Sequence, residues 1–243
     1  MSSIQFVDAF EPAPSMAVPD NTTQFAEDEA PGEVIERVAS SRTVNVDPQT
    51  GGVVVPSSEK RLLDLSAEGS LDIPAAALTA YRQAAATLAH SDPSCNIDWA
   101  LMAGIGRVES DHGRYGGARV AANGKTYPHI LGVALDGSPG VAAIADTDGG
   151  TLDSDTTWDR AVGPMQFIPG TWAVVAADGD GDGERDPHDL DDAALAAGAY
   201  LCAGDRDVST RAGAEAAVFS YNQSDEYVAM VLAIADAYRN GEV

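Results

Sequence analysis

A carboxyl group that closes an apolar helix has the makings of a general acid, and the run Gly104 to Gly117, GIGRVESDHGRYGG, carries one at Glu109. Ile97, Leu101, Ile105 and Val108 recur at spacings of four, four and three, which places them on one stripe of a helix. Glu109 follows directly beside that stripe. Asp111, Gly113, Gly116 and Gly117 are expected to stop the helix, because glycine tolerates the left-handed backbone that helix ends adopt. Apolar helix surface strips hydration from a carboxylate, so its pKa is expected to rise toward the range of a general acid. Taken alone, the segment also suits an ordinary solvated glutamate, and other stretches must decide.

The second constellation is Asp178 to Asp189, DGDGDGERDPHD. Asp178, Asp180 and Asp182 take loop positions one, three and five, Gly183 position six, Asp186 position nine and Asp189 position twelve, which is the spacing of an EF-hand calcium loop. A hard dication needs several oxygens converging from one short segment, and the position-six glycine allows the sharp turn that gathers them. Asp178, Asp180, Asp182, Glu184, Asp186 and Asp189 are therefore the candidate ligands of a Ca2+ ion, with a structural role in preference to a sensor role. Asp189 is shorter than the glutamate usual at position twelve, so affinity could be weak. A solvated acidic turn is the plain alternative.

Further polar groups stand at Gln166 in GPMQF, an amide able to hydrogen-bond a sugar, and at Tyr221 and Asn222, which sit between two helices. Met165, Phe167 and Ile168 read as core. His112 and His129 lie in polar loops, where a lone histidine is more often a bystander than a proton carrier. Trp158 could stack on a sugar face, whereas Trp172, just after Pro169, reads as core. Asp111, Asp153, Asp155 and Asp159 are the carboxylates that could stand opposite Glu109. Cys95 and Cys202 are too few for a zinc cluster, which leaves a disulfide between them or two inert thiols.

A chain of 243 residues with 44% hydrophobic content suits one sizeable domain with a tail. A formal net charge of -24 opposes binding to a nucleic-acid backbone or an anionic membrane. No run of about 18 apolar residues exists to span a membrane. The start, MSSIQFVDAFEPAPSMAVPD, lacks the basic and apolar regions of a signal peptide, so export would require a leader that this start does not show.

The elements that must position these groups follow from pattern. Residues 1–70 read as a mostly flexible acidic tail, with one short helix at Val34 to Val38 and a possible hairpin in Arg42 to Pro56 turning at Asp47 to Gly52. The core begins after Pro74 with a helix whose Leu78, Tyr81, Ala85 and Leu88 share a face. The Glu109 helix starts near Asn96 or Asp98. Ala118 to Arg160 is long, rich in Gly and Asp and weakly periodic, so it reads as an irregular loop, either lining a cleft or decorating the surface. Three helices close the chain: Asp191 or Asp192 is the expected cap of the first, Ser209 of the second and Ser224 of the third, whose Val228, Val231, Ala235 and Tyr238 share a face.

Glu109-Ser110 at a helix end, then GPMQF, then the SYN of Ser220 to Asn222, in that order, resembles the lytic transglycosylases, lysozyme-like enzymes that cleave bacterial peptidoglycan. GPMQFIPGTW followed by an aspartate-rich loop is most similar to the membrane-bound lytic transglycosylase B family and its actinobacterial secreted relatives. The resemblance runs from Ile73 to Arg239. It implies a mostly α, lysozyme-like catalytic domain over residues 71–243, with an EF-hand-like cation loop and long irregular loops. It also implies Glu109 as acid and then base, with Ser110, Gln166, Tyr221 and Asn222 at the sugar cleft. The products implied are 1,6-anhydro-muramoyl ends on peptidoglycan glycan strands, from a secreted or wall-associated monomer without an organic cofactor. A muramidase using water, with a second carboxylate, and a non-catalytic calcium-stabilised wall-binding module are the rival expectations.

Overall fold

In this computed structural model the described residues are 45–46, 53–55, 72–204 and 206–241. The helix expected at Val34 to Val38 and the turn at Asp47 to Gly52 lie outside them.

Six helices carry the described part of the chain: α1 Ala75–Ser91, α2 Trp99–Ser110, α3 Pro169–Val175, α4 Leu190–Cys202, α5 Arg211–Tyr221 and α6 Asp225–Arg239. α1 buries Ala77, Ala80, Tyr81, Ala84 and Leu88, a stripe rotated from the expected one by its small residues, which let α4 approach closely. α4 answers with Ala193, Ala194, Ala196 and Ala197, all fully buried. The approach is tightest at Gly198, where a Cβ would stand 2.4 Å from Leu88 Cδ1.

α2 is buried from Ala100 to Ser110 and runs through the middle of the helical layer, against α1 on one side and α6 on the other. Asp98 begins it, Oδ1 accepting from the Leu101 amide at 3.0 Å, a cap worth about 1 kcal/mol. α6 begins at Ser224 and buries Val228, Val231, Ala235 and Tyr238, as its spacing required. Two other caps differ from expectation. Asp189, not Asp191 or Asp192, starts α4, and Thr210, not Ser209, starts α5. In both cases the residue with extended backbone and a side chain free to accept from two or three residues ahead takes the position.

The stretch expected to be an irregular loop, residues 118–160, holds short strands in its first part, while residues 135–159 carry only isolated bridges, as expected of a loop. β1 Asn45–Val46, β2 Val53–Val55, β5 Ile130–Ala134 and β6 Arg160–Val162 form one sheet, ordered β1-β2-β5-β6. β2 pairs parallel to β5, while β1–β2 and β5–β6 are antiparallel. β3 Arg119–Val120 and β4 Thr126–Tyr127 make a separate antiparallel ribbon. Strands of two to five residues are too short to display alternation, and β5 is an apolar run buried at Ile130, Leu131 and Gly132. The hairpin expected near Asp47 to Gly52 thus has its two strands paired and its second strand docked on the domain.

Cys95, just before α2, forms a disulfide with Cys202, the last residue of α4, across a separation of 107 residues. The bond ties the segment entering α2 to the layer packed on α1.

Candidate active site

The end of α2 is fastened from three sides. Glu109 is only 6% exposed, and the Tyr227 hydroxyl donates to its Oε1 at 2.6 Å. Ser110 Oγ donates to the Pro164 carbonyl at 2.6 Å and accepts from the Gly113 amide at 2.8 Å. The Tyr221 hydroxyl donates to the Met165 carbonyl at 2.7 Å. These bonds draw three separate stretches into one site: residues 109–110, the loop 163–167, and the junction of α5 with α6. Burial raises the Tyr221 hydroxyl pKa well above its usual value, and the nearby Glu109 charge adds to the shift.

The helix is stopped by Asp111 itself, in left-handed backbone with φ 53°, followed by His112 at φ 55°. The glycines expected to do this come later. Two consecutive non-glycine residues in that region cost of order 1–3 kcal/mol each and persist only where their surroundings hold them. Asp111 is held by ion pairs to Arg107 and Arg114, the latter 2.8 Å from Oδ1. His112 is held between two tyrosines, Tyr81 Oη 3.1 Å from Nδ1 and Tyr238 Oη 2.9 Å from Nε2. It is fully buried, not the loop bystander its sequence context suggested.

Gln166 sits on a tight turn between β6 and α3, where Val162 and Phe167 exchange backbone hydrogen bonds. Its backbone is left-handed at φ 52°, and Nε2 donates to the Gly163 carbonyl at 2.8 Å. Oε1 is buried with no partner among the described residues. An unpaired buried acceptor costs about 1–3 kcal/mol, which a donor on a bound molecule would recover. Gly163 can be only glycine here, since a Cβ would stand 1.7 Å from the Pro187 carbonyl oxygen. Asn222 caps the C-terminus of α5 and is 6% exposed. Ser110 is fully buried, and its hydroxyl, engaged by Pro164 and Gly113, shapes the turn after Glu109.

The four candidate partner carboxylates are all committed. Asp111 carries the arginine pairs above. Asp153 accepts from the Asp155 and Arg160 amides. Asp155 pairs with Arg160 at 3.1 Å, and Asp159 accepts from the Thr147 amide and hydroxyl.

In the acidic loop, oxygens of Asp178, Asp180 and Asp192 lie within 4.8 Å of one another. The remaining members of the expected twelve-position register lie outside that cluster and have partners of their own. Glu184 and Asp186 pair with Lys125 Nζ at 2.8 and 3.2 Å. Asp182 Oδ1 accepts from the Glu184 amide, and Asp189 Oδ1 accepts from the Asp191 amide as the cap of α4. Asp189 has its pKa pushed up to about 7, first by burial, then by the charges of Asp192, Asp191 and Asp180. Asp192, from the first turn of α4, joins Asp178 and Asp180 in that cluster and accepts from the Gly179 and Asp186 amides. His129 stacks on His188 at 3.8 Å beside this loop. Trp172 is buried as expected, and Trp158 is half-buried.

Tyr227 is the site residue that sequence reasoning missed. At the third position of α6, beside Val228 and Val231, it reads as one more core aromatic, and its hydroxyl partner lies 118 residues away.

Residues 142–216 match the family model described as Transglycosylase SLT domain. The matched segment holds Gln166 and the acidic loop, and stops short of Tyr221, Asn222 and Tyr227. It indicates a lytic transglycosylase, an enzyme acting on peptidoglycan, and the mostly helical fold with small sheets is consistent with it. A search of curated proteins found no match. Among the described residues, no helix is long and apolar enough to cross a membrane.

Proposed function

We propose that this domain cleaves the β-1,4 bond between N-acetylmuramic acid and N-acetylglucosamine, and releases 1,6-anhydro-muramoyl ends. The observation that carries the reading is the buried Glu109 carboxyl bonded to Tyr227 and joined, through Ser110–Pro164 and Tyr221–Met165, to the Gln166 turn. Glu109, protonated, gives its proton to the glycosidic oxygen as the bond to C1 breaks. The C6 hydroxyl of the same muramoyl residue then forms the new bond to C1, and the Glu109 carboxylate takes the proton that hydroxyl loses. Glu109 ends as it began, and no water is consumed. The engagement of Asp111, Asp153, Asp155 and Asp159 elsewhere favours this route over hydrolysis, which needs a second carboxylate. The Gln166 Oε1 acceptor and Asn222 would meet hydroxyl and amide groups of the sugar, with Tyr221 and Tyr227 setting the wall behind them.

We place the protein near the membrane-bound lytic transglycosylase B type and its secreted actinobacterial relatives, at the cell wall. We further assign a structural cation, with Ca2+ the fitting ion, to Asp178, Asp180 and Asp192, whose donors are all hard oxygens. Bound there, it would neutralise the charge gathered at the start of α4 and hold the loop that follows α3.

Digestion of purified peptidoglycan, with mass spectrometry of the released muropeptides, tests the reaction. Anhydro ends support transglycosylation. Reducing ends would mean a muramidase, and wall binding without products a non-catalytic module.

A further inference from the structure

The assignment of Glu109 leaves a buried titratable group unused three residues further on. His112 is fully enclosed, and each ring nitrogen faces a tyrosine hydroxyl, Tyr81 from α1 and Tyr238 from α6. A neutral imidazole offers one N–H and one lone pair, so one hydroxyl must accept and the other donate. The arrangement accordingly fixes one tautomer and one ring orientation. Charge on the ring is disfavoured by burial and by Arg107 and Arg114.

Two features show that the chain is shaped around this contact. A Cβ on Gly106, one turn before Glu109, would lie 2.0 Å from Tyr81 Oη, so α2 carries a glycine where the hydroxyl passes to reach His112. Glycine inside a helix costs about 1 kcal/mol relative to alanine. The His112 amide also donates to the Gly106 carbonyl at 2.9 Å, which folds the left-handed turn back on the same spot. α6 meanwhile brings two hydroxyls to the end of α2, Tyr227 to Glu109 and Tyr238 to His112.

We propose that His112 is a positioning residue for Glu109: pinned between Tyr81 and Tyr238, it locks the strained turn that ends α2 and so fixes where the Glu109 carboxyl points. The inference rests on Glu109 being the acid of the proposed reaction. Among the described residues, Ser110 and Asp111 are each anchored to one neighbouring segment or to arginines, whereas His112 links the turn to both flanking helices.

The test compares His112→Ala, His112→Gln, Tyr81→Phe, Tyr238→Phe and Glu109→Gln on soluble uncross-linked glycan strands, below each variant's melting temperature. Misplacing a reacting group by about 1 Å costs up to ~100-fold in rate. His112→Ala and the two Tyr→Phe variants should therefore lose about tenfold to a hundredfold in kcat with KM within about twofold, and His112→Gln, which keeps a donor and an acceptor, should recover part of the loss. If His112→Ala does not fold, the Tyr→Phe variants carry the test, since they keep the ring volume. Wild-type kcat in folded Tyr81→Phe and Tyr238→Phe, with Glu109→Gln inactive, overturns the role of His112 alone. Full activity in Glu109→Gln overturns the assignment beneath it.

Discussion

Removing one oxygen from Tyr227 should slow this enzyme without unfolding it. The hydroxyl lies 2.6 Å from Glu109 Oε1 in a buried setting, within the short range of hydrogen bonds to carboxylates. Hydrogen bonds to charged groups are worth about 1.5–3 kcal/mol net, and each ~1.36 kcal/mol is tenfold in rate. If that bond orients the carboxyl in the transition state, Tyr227→Phe should lower kcat by roughly tenfold to a hundredfold. The ring, 1% exposed and packed in the core, is retained, so the variant should still fold, with a melting temperature lower by roughly 3–12 °C for the lost bond. Initial rates of anhydro-muropeptide release, read with circular-dichroism melts of the same preparations, give both numbers. A folded Tyr227→Phe variant within twofold of wild-type kcat would refute the reasoning that this bond aims Glu109.

Three further outcomes follow from other parts of the molecule. Opening the Cys95–Cys202 bond frees a loop of 107 residues in the unfolded chain, a loss of about 4.8 kcal/mol in the chain-entropy model; the double serine variant should melt roughly 10 °C lower or more, and an unchanged melt would mean that the bond does not constrain unfolding. Added Ca2+ should raise the melting temperature of the wild type by mass action, and Asp180→Asn should abolish most of that rise; an equal response in both would remove Asp180 from the proposed ligand set. Because the folded-state pKa of His112 is depressed, the unfolded chain takes up a proton there that the native state refuses. Its stability contribution is thus whole above about pH 6.5 and lost as pH falls below it, at up to ~1.36 kcal/mol per pH unit. Urea titrations between pH 7 and 5 should show His112→Gln losing less stability on acidification than wild type, and parallel curves would count against a buried neutral His112.

What could be read from the sequence was what is local. Asp98 and Ser224 announce their helices because a cap acts within three residues, and the apolar stripe leading to Glu109 is a single-helix property. The strands β3 to β5 were missed because they are short and because β5 is buried across most of its length, which removes the alternation. Tyr227 was illegible for a different reason: its hydroxyl acts only once α6 is laid along α2. The acidic loop shows both sides. The spacing of its aspartates is a local property of the sequence, whereas the approach of Asp192 to Asp178 and Asp180 depends on how α4 is laid against the loop. His112 reads as a polar-loop residue until Gly106 leaves room for Tyr81 to reach it.

The most direct measurement sets wild type beside Glu109→Gln on purified peptidoglycan and weighs the muropeptides released. With Glu109 as the acid and base, wild type yields 1,6-anhydro ends and the folded variant yields none. Anhydro products at wild-type rate from Glu109→Gln would contradict the central claim and move the chemistry to another residue of the site.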